Sequence, residues 1–294
     1  MQINRRRAPS TEISRAKKLG GHAQETQYAE LIGGSTIRGT RKGDVQDKHG
    51  NLHSVKSGRK WQIFLYGYNR ISSSQHLSIL QSCLDAFTID AAKYFEDRTE
   101  CIALKEAHIQ QHGRAKALRL TNDAVESALK NNEYIRSKNK LSIATHSVCK
   151  ALHDKTFLRQ FLGEALFNNT EVSFLALKDS TYKQDELFKV FSRDDVLDIL
   201  TSRLFPSLSK AGHVPEDYNV PGQKTLFCYK TTAGVTKNIV EIEIRNDSNV
   251  HYRQVRFNMY SKDTLSILLE SSPRLPSSQL CNGVVVFGKA IPRL

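Results

Sequence analysis

The sequence predicts a mixed α/β protein, with helices and strands segregated along the chain in an α+β manner. Three observations predict it. Apolar residues recur at helical spacing after about residue 75, as in Leu77, Leu80, Leu84 and Phe87. Two later segments, Ile239–Arg245 and Tyr252–Tyr260, alternate apolar and polar residues as half-buried strands do. Between Asp44 and Ser57 a polar turn, His49-Gly50-Asn51, joins two short arms that suit a β-hairpin.

The elements follow in order. Pro9 with Ser10 or Thr11 marks a helix entrance, and the first helix is expected to run through Leu19 until Gly20-Gly21 interrupts it. A second helix, from about His22 to Ile32, ends at Gly33-Gly34; Ala29 and Ile32 form its apolar side and Glu25 lies one turn earlier. The hairpin arms come next. Lys60–Tyr66 is short and apolar, so it reads as a strand or as the start of a helix, and periodicity does not decide. Residues 75–168 read as helical. Glu171–Lys178 and Leu187–Phe191 read as strands, and Arg193-Asp194-Asp195 opens a helix through Leu204 that Phe205-Pro206 ends. Residues 211–224 form a Pro/Gly linker. The chain therefore divides at 210: residues 1–210 form a core carrying the helical stretch as an insertion, and residues 211–294 form a β-rich region.

Composition narrows the function. No apolar run approaches the roughly 20 residues of a membrane span, and Met1–Arg7 lacks the apolar stretch of a secretory signal. A reducing cytoplasm, prokaryotic in the reading developed below, suits the five scattered cysteines, which are expected to be free thiols. The net charge is +13, and residues 1–70 hold fourteen Lys and Arg against five acids, nine of those thirteen charges. A polyanion is the natural partner, because basic side chains release counterions when they meet backbone phosphates; a merely basic soluble surface is the plainer account. Arg38, Arg41, Lys42, Ser57, Arg59 and Lys60 are the phosphate-contact candidates in that segment. In the later ribbon Val255, Phe257 and Met259 face a core, leaving Arg256 and Asn258, with Arg253 nearby, to read a DNA groove. An ordinary half-exposed sheet has the same pattern. The ten histidines are read as forming no HxxxH or HNH-like cluster, and Gly33-Gly34 with Gly39 makes no phosphate loop followed by Lys-Ser/Thr.

Asp44 on one hairpin arm and Lys56 on the next bring a carboxylate and an ammonium toward one end of the hairpin. A hard cation on oxygen ligands beside a lysine suits phosphodiester hydrolysis. The order helix Glu25, Gly43-Asp44-Val45, turn, Ser54-Val55-Lys56 resembles the PD-(D/E)xK nuclease superfamily and, within it, type II restriction endonucleases. The resemblance covers residues 20–66 best, and the strand at 171–178 with the strand and helix after it is similar to the closing half of such a core. It implies a restriction-endonuclease-like mixed sheet flanked by helices and an Mg²⁺ held by Asp44, Glu25 and the Val55 carbonyl. It further implies that Lys56 activates water, that double-stranded DNA is the substrate, and that a homodimer works beside a cognate DNA methyltransferase. Gln62-Ile-Phe-Leu-Tyr66 also resembles the Gln-xxx-Tyr element of exonuclease-type members, which adds Gln62 to the catalytic candidates. The chain departs from the family at Ser54, where an acid usually precedes the lysine by two; Asp47 is a weaker substitute. A non-catalytic DNA-binding protein and a repair or recombination nuclease without sequence specificity are the competing readings.

Overall fold

The computed structural model describes residues 11–37, 42–113, 127, 130–178, 187–210, 222–274 and 283–288. It is a mixed α/β protein in which mixed and antiparallel sheets are flanked by helices. No described helix is long and apolar enough to cross a membrane. Two compact units are each assembled from separate pieces of chain. The first contains residues 1–61, 162–200 and 261–294, and the second contains 62–161 and 201–260.

The first unit is built on a six-stranded sheet of order β1-β2-β3-β5-β6-β11. Its strands are β1 (Ser35–Thr36), β2 (Val45–Gln46), β3 (Leu52–Ser57), β5 (Phe174–Lys178), β6 (Phe188–Ser192) and β11 (Val284–Phe287). β2 and β3 are antiparallel, β3 and β5 parallel, β5 and β6 antiparallel, and β6 and β11 parallel. Helix α1 (Thr11–Ile32) lays Tyr28, Ala29 and Ile32 on one face of this sheet, against Val45, Val55, Phe174, Ala176, Phe188, Val190, Val284 and Val286. Parallel neighbours need a long crossover. The connection from β3 to β5 carries the whole of residues 62–161.

The second unit has a five-stranded sheet, β4-β10-β9-β8-β7. Its strands are β4 (Lys60–Tyr66), β7 (Phe205–Leu208), β8 (Lys224–Lys230), β9 (Thr236–Arg245) and β10 (Gln254–Tyr260). The chain also forms α2 (Tyr68–Ser72), α3 (Gln81–Asp85), α4 (Ala91–His112), α5 (Glu133–Ala151), α6 (Lys155–Phe167), α7 (Arg193–Arg203) and α8 (Ser261–Ser271). Phe64, Phe161, Phe227 and Phe257 pack ring to ring over the second sheet. Phe87, Tyr94, Phe95, Tyr134 and Tyr252 form a second aromatic cluster around α4 and α5.

Two expectations are corrected. The units do not divide at residue 210. The helical stretch belongs with β8, β9 and β10, while α8 and β11 return to the first unit, because sheets are completed by strands distant in sequence. The linker expected at 211–224 falls largely outside the described residues. Gly20-Gly21 does not split the first helix, which runs unbroken from Thr11 to Ile32. A helix-interior glycine costs only about 1 kcal/mol relative to alanine, and the packing of Tyr28, Ala29 and Ile32 anchors the C-terminal part of this helix. Lys60–Tyr66, left open by periodicity, is a strand.

The end of α1 falls where expected. Gly33 takes φ +64°, and the amides of Gly33 and Gly34 donate to the carbonyls of Glu30 and Ala29 at 3.3 and 2.8 Å. The left-handed residue is one that glycine adopts without a Cβ penalty. The four described cysteines, Cys83, Cys101, Cys149 and Cys228, are buried free thiols, and burial pushes Cys83 up to about 12.

The glycines of α1 give a test. A Cβ added at Gly20 or Gly21 meets nothing within 4 Å, so Gly20→Ala and Gly21→Ala are expected to stabilise by about 0.5–1 kcal/mol each. Gly33→Ala, at positive φ, is expected to destabilise by about 1 kcal/mol. Urea midpoints of the three variants measure all three signs.

Candidate active site

The hairpin is closed by Asp47. Its Oδ1 accepts from the amides of His49 and Asn51 at 2.8 and 2.9 Å, and its Oδ2 accepts from Asn51 Nδ2 at 2.9 Å. Gly50 supplies the positive φ, +86°, that the turn requires. The resulting register pairs Val45 with His53 and Gln46 with Leu52. Extending it by one residue sets Asp44 across from Ser54, and the Asp44 amide donates to the His53 carbonyl at 2.8 Å.

Alternation along the strands then sorts the side chains. Val45 and Val55 belong to the core beneath α1. Asp44, Ser54 and Lys56 alternate with them and take the opposite face. Asp44 Oδ2 accepts from Ser54 Oγ at 3.2 Å, from the Val55 amide at 2.7 Å and from Lys56 Nζ at 2.8 Å. Lys56 Nζ also donates to the Val55 carbonyl at 3.0 Å. The Lys56 and Asp44 side chains are 17% and 21% exposed, sheltered from bulk water yet open to a ligand.

Beneath this face lies a buried chain. His53 is fully buried; its Nδ1 meets the Tyr28 hydroxyl at 2.9 Å and its Nε2 meets Asp47 Oδ2 at 3.3 Å. Burial pushes the His53 imidazole below its ordinary value, more strongly than the Asp47 carboxylate pulls it up. Burial works to raise Asp47, but the hydrogen bonds from Asn51, His53 and the His49 amide together hold its carboxyl below the ordinary range. Asp47 is thus a structural clamp and not a ligand substitute.

The donor set fits a hard cation. Lys56 already holds a positive charge between one carboxylate oxygen and one main-chain carbonyl oxygen, and such oxygens, completed by water and substrate phosphate, suit Mg²⁺. Glu25 does not touch Asp44 or Lys56; its carboxylate meets His22 Nδ1 at 2.9 Å on its own helix. Among the described residues no group of three or more His, Cys, Asp or Glu side chains is close enough to hold a metal.

The remaining candidates scatter. Ser57 ends β3, and Arg59 and Lys60 are exposed beside it, at the turn where Gly58 takes φ +89°. Lys42 is half-buried and has partners of its own. Arg38 and Arg41 lie outside the described residues. Gln62 sits on β4 in the second unit, with no part in the Asp44 cluster. The ribbon is not a free reading surface. Arg253 donates to the Leu84 carbonyl at 3.2 Å, pairs with Asp85 and lies over the Tyr68 ring. Arg256 is ion-paired with Glu243, and Asn258 is buried. Lys178 lies on the α1 side of the sheet, away from Asp44 and Lys56, in step with Val55, Phe174 and Ala176. Strand pairing places it beside Ser57, and it donates to Gln27 at 3.0 Å. No local pattern reveals a parallel pairing between residues this far apart.

Comparison with family models, curated proteins and solved structures finds no match to this chain.

Asp47 yields a prediction. Asp47→Ala is expected to cost about 2–3 kcal/mol by removing charge-assisted hydrogen bonds. A carboxyl depressed in the folded state stabilises above its unfolded value, about 3.9, and loses that contribution as pH falls through the lower folded value. The difference between wild type and variant should stay constant from neutral pH to about pH 5 and shrink in stronger acid, as read by denaturant titrations.

Proposed function

We propose that the chain is an Mg²⁺-dependent endodeoxyribonuclease, of the type II restriction kind, that hydrolyses phosphodiester bonds of double-stranded DNA. The observation that carries the reading is the meeting of Ser54 Oγ, the Val55 amide and Lys56 Nζ on one oxygen of Asp44. Asp44 and the Val55 carbonyl would hold the ion, which when bound polarises a phosphate oxygen and acidifies a water. Ser54 and the Val55 amide aim the Asp44 carboxylate. Lys56, within reach of both ligand oxygens, donates to the attacking water or to charge developing on the phosphate. Arg59 and Lys60, with the basic surplus of residues 1–70, grip the DNA backbone. A homodimer cuts both strands of a symmetric site, in a prokaryotic cytoplasm where a DNA methyltransferase protects the host sites.

One observation favours a passive DNA-binding module instead. Asp44 and Lys56 neutralise each other, and Glu25 pairs elsewhere, so the same contacts serve simply to lock the hairpin. Incubation of plasmid with the protein and Mg²⁺ separates the readings. Discrete fragments support restriction, a smear supports a nonspecific nuclease, and retardation without cleavage supports the passive module. Asp44→Ala and Lys56→Ala are each expected to lower cleavage by about 10²-fold or more while DNA affinity in a gel shift without Mg²⁺ changes little. Glu25→Gln should lower it less. Cleavage persisting in both the Asp44 and Lys56 variants overturns the site.

The charge balance makes a second prediction. With its one carboxylate already matched by Lys56, the cluster has no net negative charge to attract a free divalent ion, and the DNA phosphate must supply it. Mg²⁺ should therefore raise DNA affinity in the wild type and not in Asp44→Ala, as measured by fluorescence anisotropy.

A further inference from the structure

Helix α4 ends in His108-Ile109-Gln110-Gln111-His112, an HxxxH spacing, which corrects the expectation that the histidines form none. Residues four apart on a helix lie one above the other on one face. The two imidazole rings are stacked, with centroids 5.8 Å apart and planes 28° from parallel, and both are half-buried. Among the described residues neither ring has a hydrogen-bond partner, so its nitrogens are available as ligands.

Position along the helix adds to the case. His112 is the last residue of α4, and Gly113, at φ +74°, ends it; the Gly113 amide donates a hydrogen bond to the Ile109 carbonyl at 2.9 Å. The last turn carries the negative end of the helix dipole, which favours a cation there. Imidazole nitrogens suit borderline ions such as Zn²⁺, Ni²⁺ and Cu²⁺, whereas the oxygen pair of Asp44 and Val55 suits a hard ion.

We propose that His108 and His112 chelate one borderline divalent transition-metal ion at the C-terminal end of α4. No third His, Cys, Asp or Glu joins them among the described residues, so water or an added ligand completes the coordination. Binding clamps the last turn of the helix and stabilises the folded chain by mass action. The ion differs in class from Mg²⁺, and its ligands lie in the second unit, so the proposal is independent of the nuclease reading.

Titration calorimetry of chelator-stripped full-length protein with NiCl₂ tests it. The wild type should bind with a component that His108→Ala and His112→Ala each weaken by about tenfold or more. The double variant Gln110→His with His112→Ala keeps the number of imidazoles but moves one off the shared face, and it should bind as weakly as His112→Ala. Asp44→Ala should bind as the wild type does. Ni²⁺ should raise the melting temperature of the wild type and not that of either histidine variant. Equal binding by wild type and both single variants, full binding by the rearranged variant, or loss of the component in Asp44→Ala each overturns the proposal. Circular dichroism confirms that the variants fold.

Discussion

The register of the β2–β3 hairpin is the constraint on which the site depends. Side chains alternate across a sheet, so a slip of one residue would turn Ser54 and Lys56 toward α1 and expose Val55. The pairing of Val45 with His53 prevents that, and it is held from both ends. Asp47 binds two turn amides, while His53 is fixed between Asp47 and the Tyr28 hydroxyl. The buried face of the hairpin thereby sets the aim of the open face. Asp44 receives its three donors because residues it never touches decide which way β3 faces.

That dependence explains what was legible in the chain. The hairpin, its polar turn and the approach of Asp44 to Lys56 are local, the two residues lying twelve apart, and strand period with turn chemistry is enough to read them. The strands at 174–178 and 188–192 and the helix after them were legible for the same reason. The glycine pair in α1 misled because local propensity was weighed without the packing of Tyr28, Ala29 and Ile32. The domain boundary was illegible in principle. A linear cut assumes contiguous domains, whereas β11 completes a sheet begun at Ser35.

The ribbon of the second sheet shows the limit most clearly. Alternation correctly placed Val255, Phe257 and Met259 in the core. It said nothing of what Arg256 and Asn258 would meet. β9 sets Glu243 opposite Arg256 and Glu241 opposite Asn258. Lys224 on β8 then bridges the two glutamates, within 2.6 Å of Glu243, and the Tyr260 hydroxyl donates to Glu241 at 2.8 Å. A polar strand face looks alike from sequence whether its partner is DNA or a neighbouring strand; only the cross-strand register tells them apart.

The two sheets handle charge in opposite ways, and this bears on where a polyanion belongs. On the second sheet two acids and two bases, Glu241, Glu243, Lys224 and Arg256, are matched, and both glutamates are nearly buried. Burying a charge is costly unless it is paired, so such a network satisfies itself and offers little field to a distant phosphate. Around β3 the charges are distributed differently. Asp44 answers Lys56 and Asp47 is spent on the turn, while Arg59 and Lys60 stay exposed beside β3. Solvent-facing positive charge raises the local concentration of polyanions in general. The electrostatic argument and the carboxylate–lysine geometry therefore meet at the same hairpin, although one rests on exposed charge and the other on a sheltered ion pair.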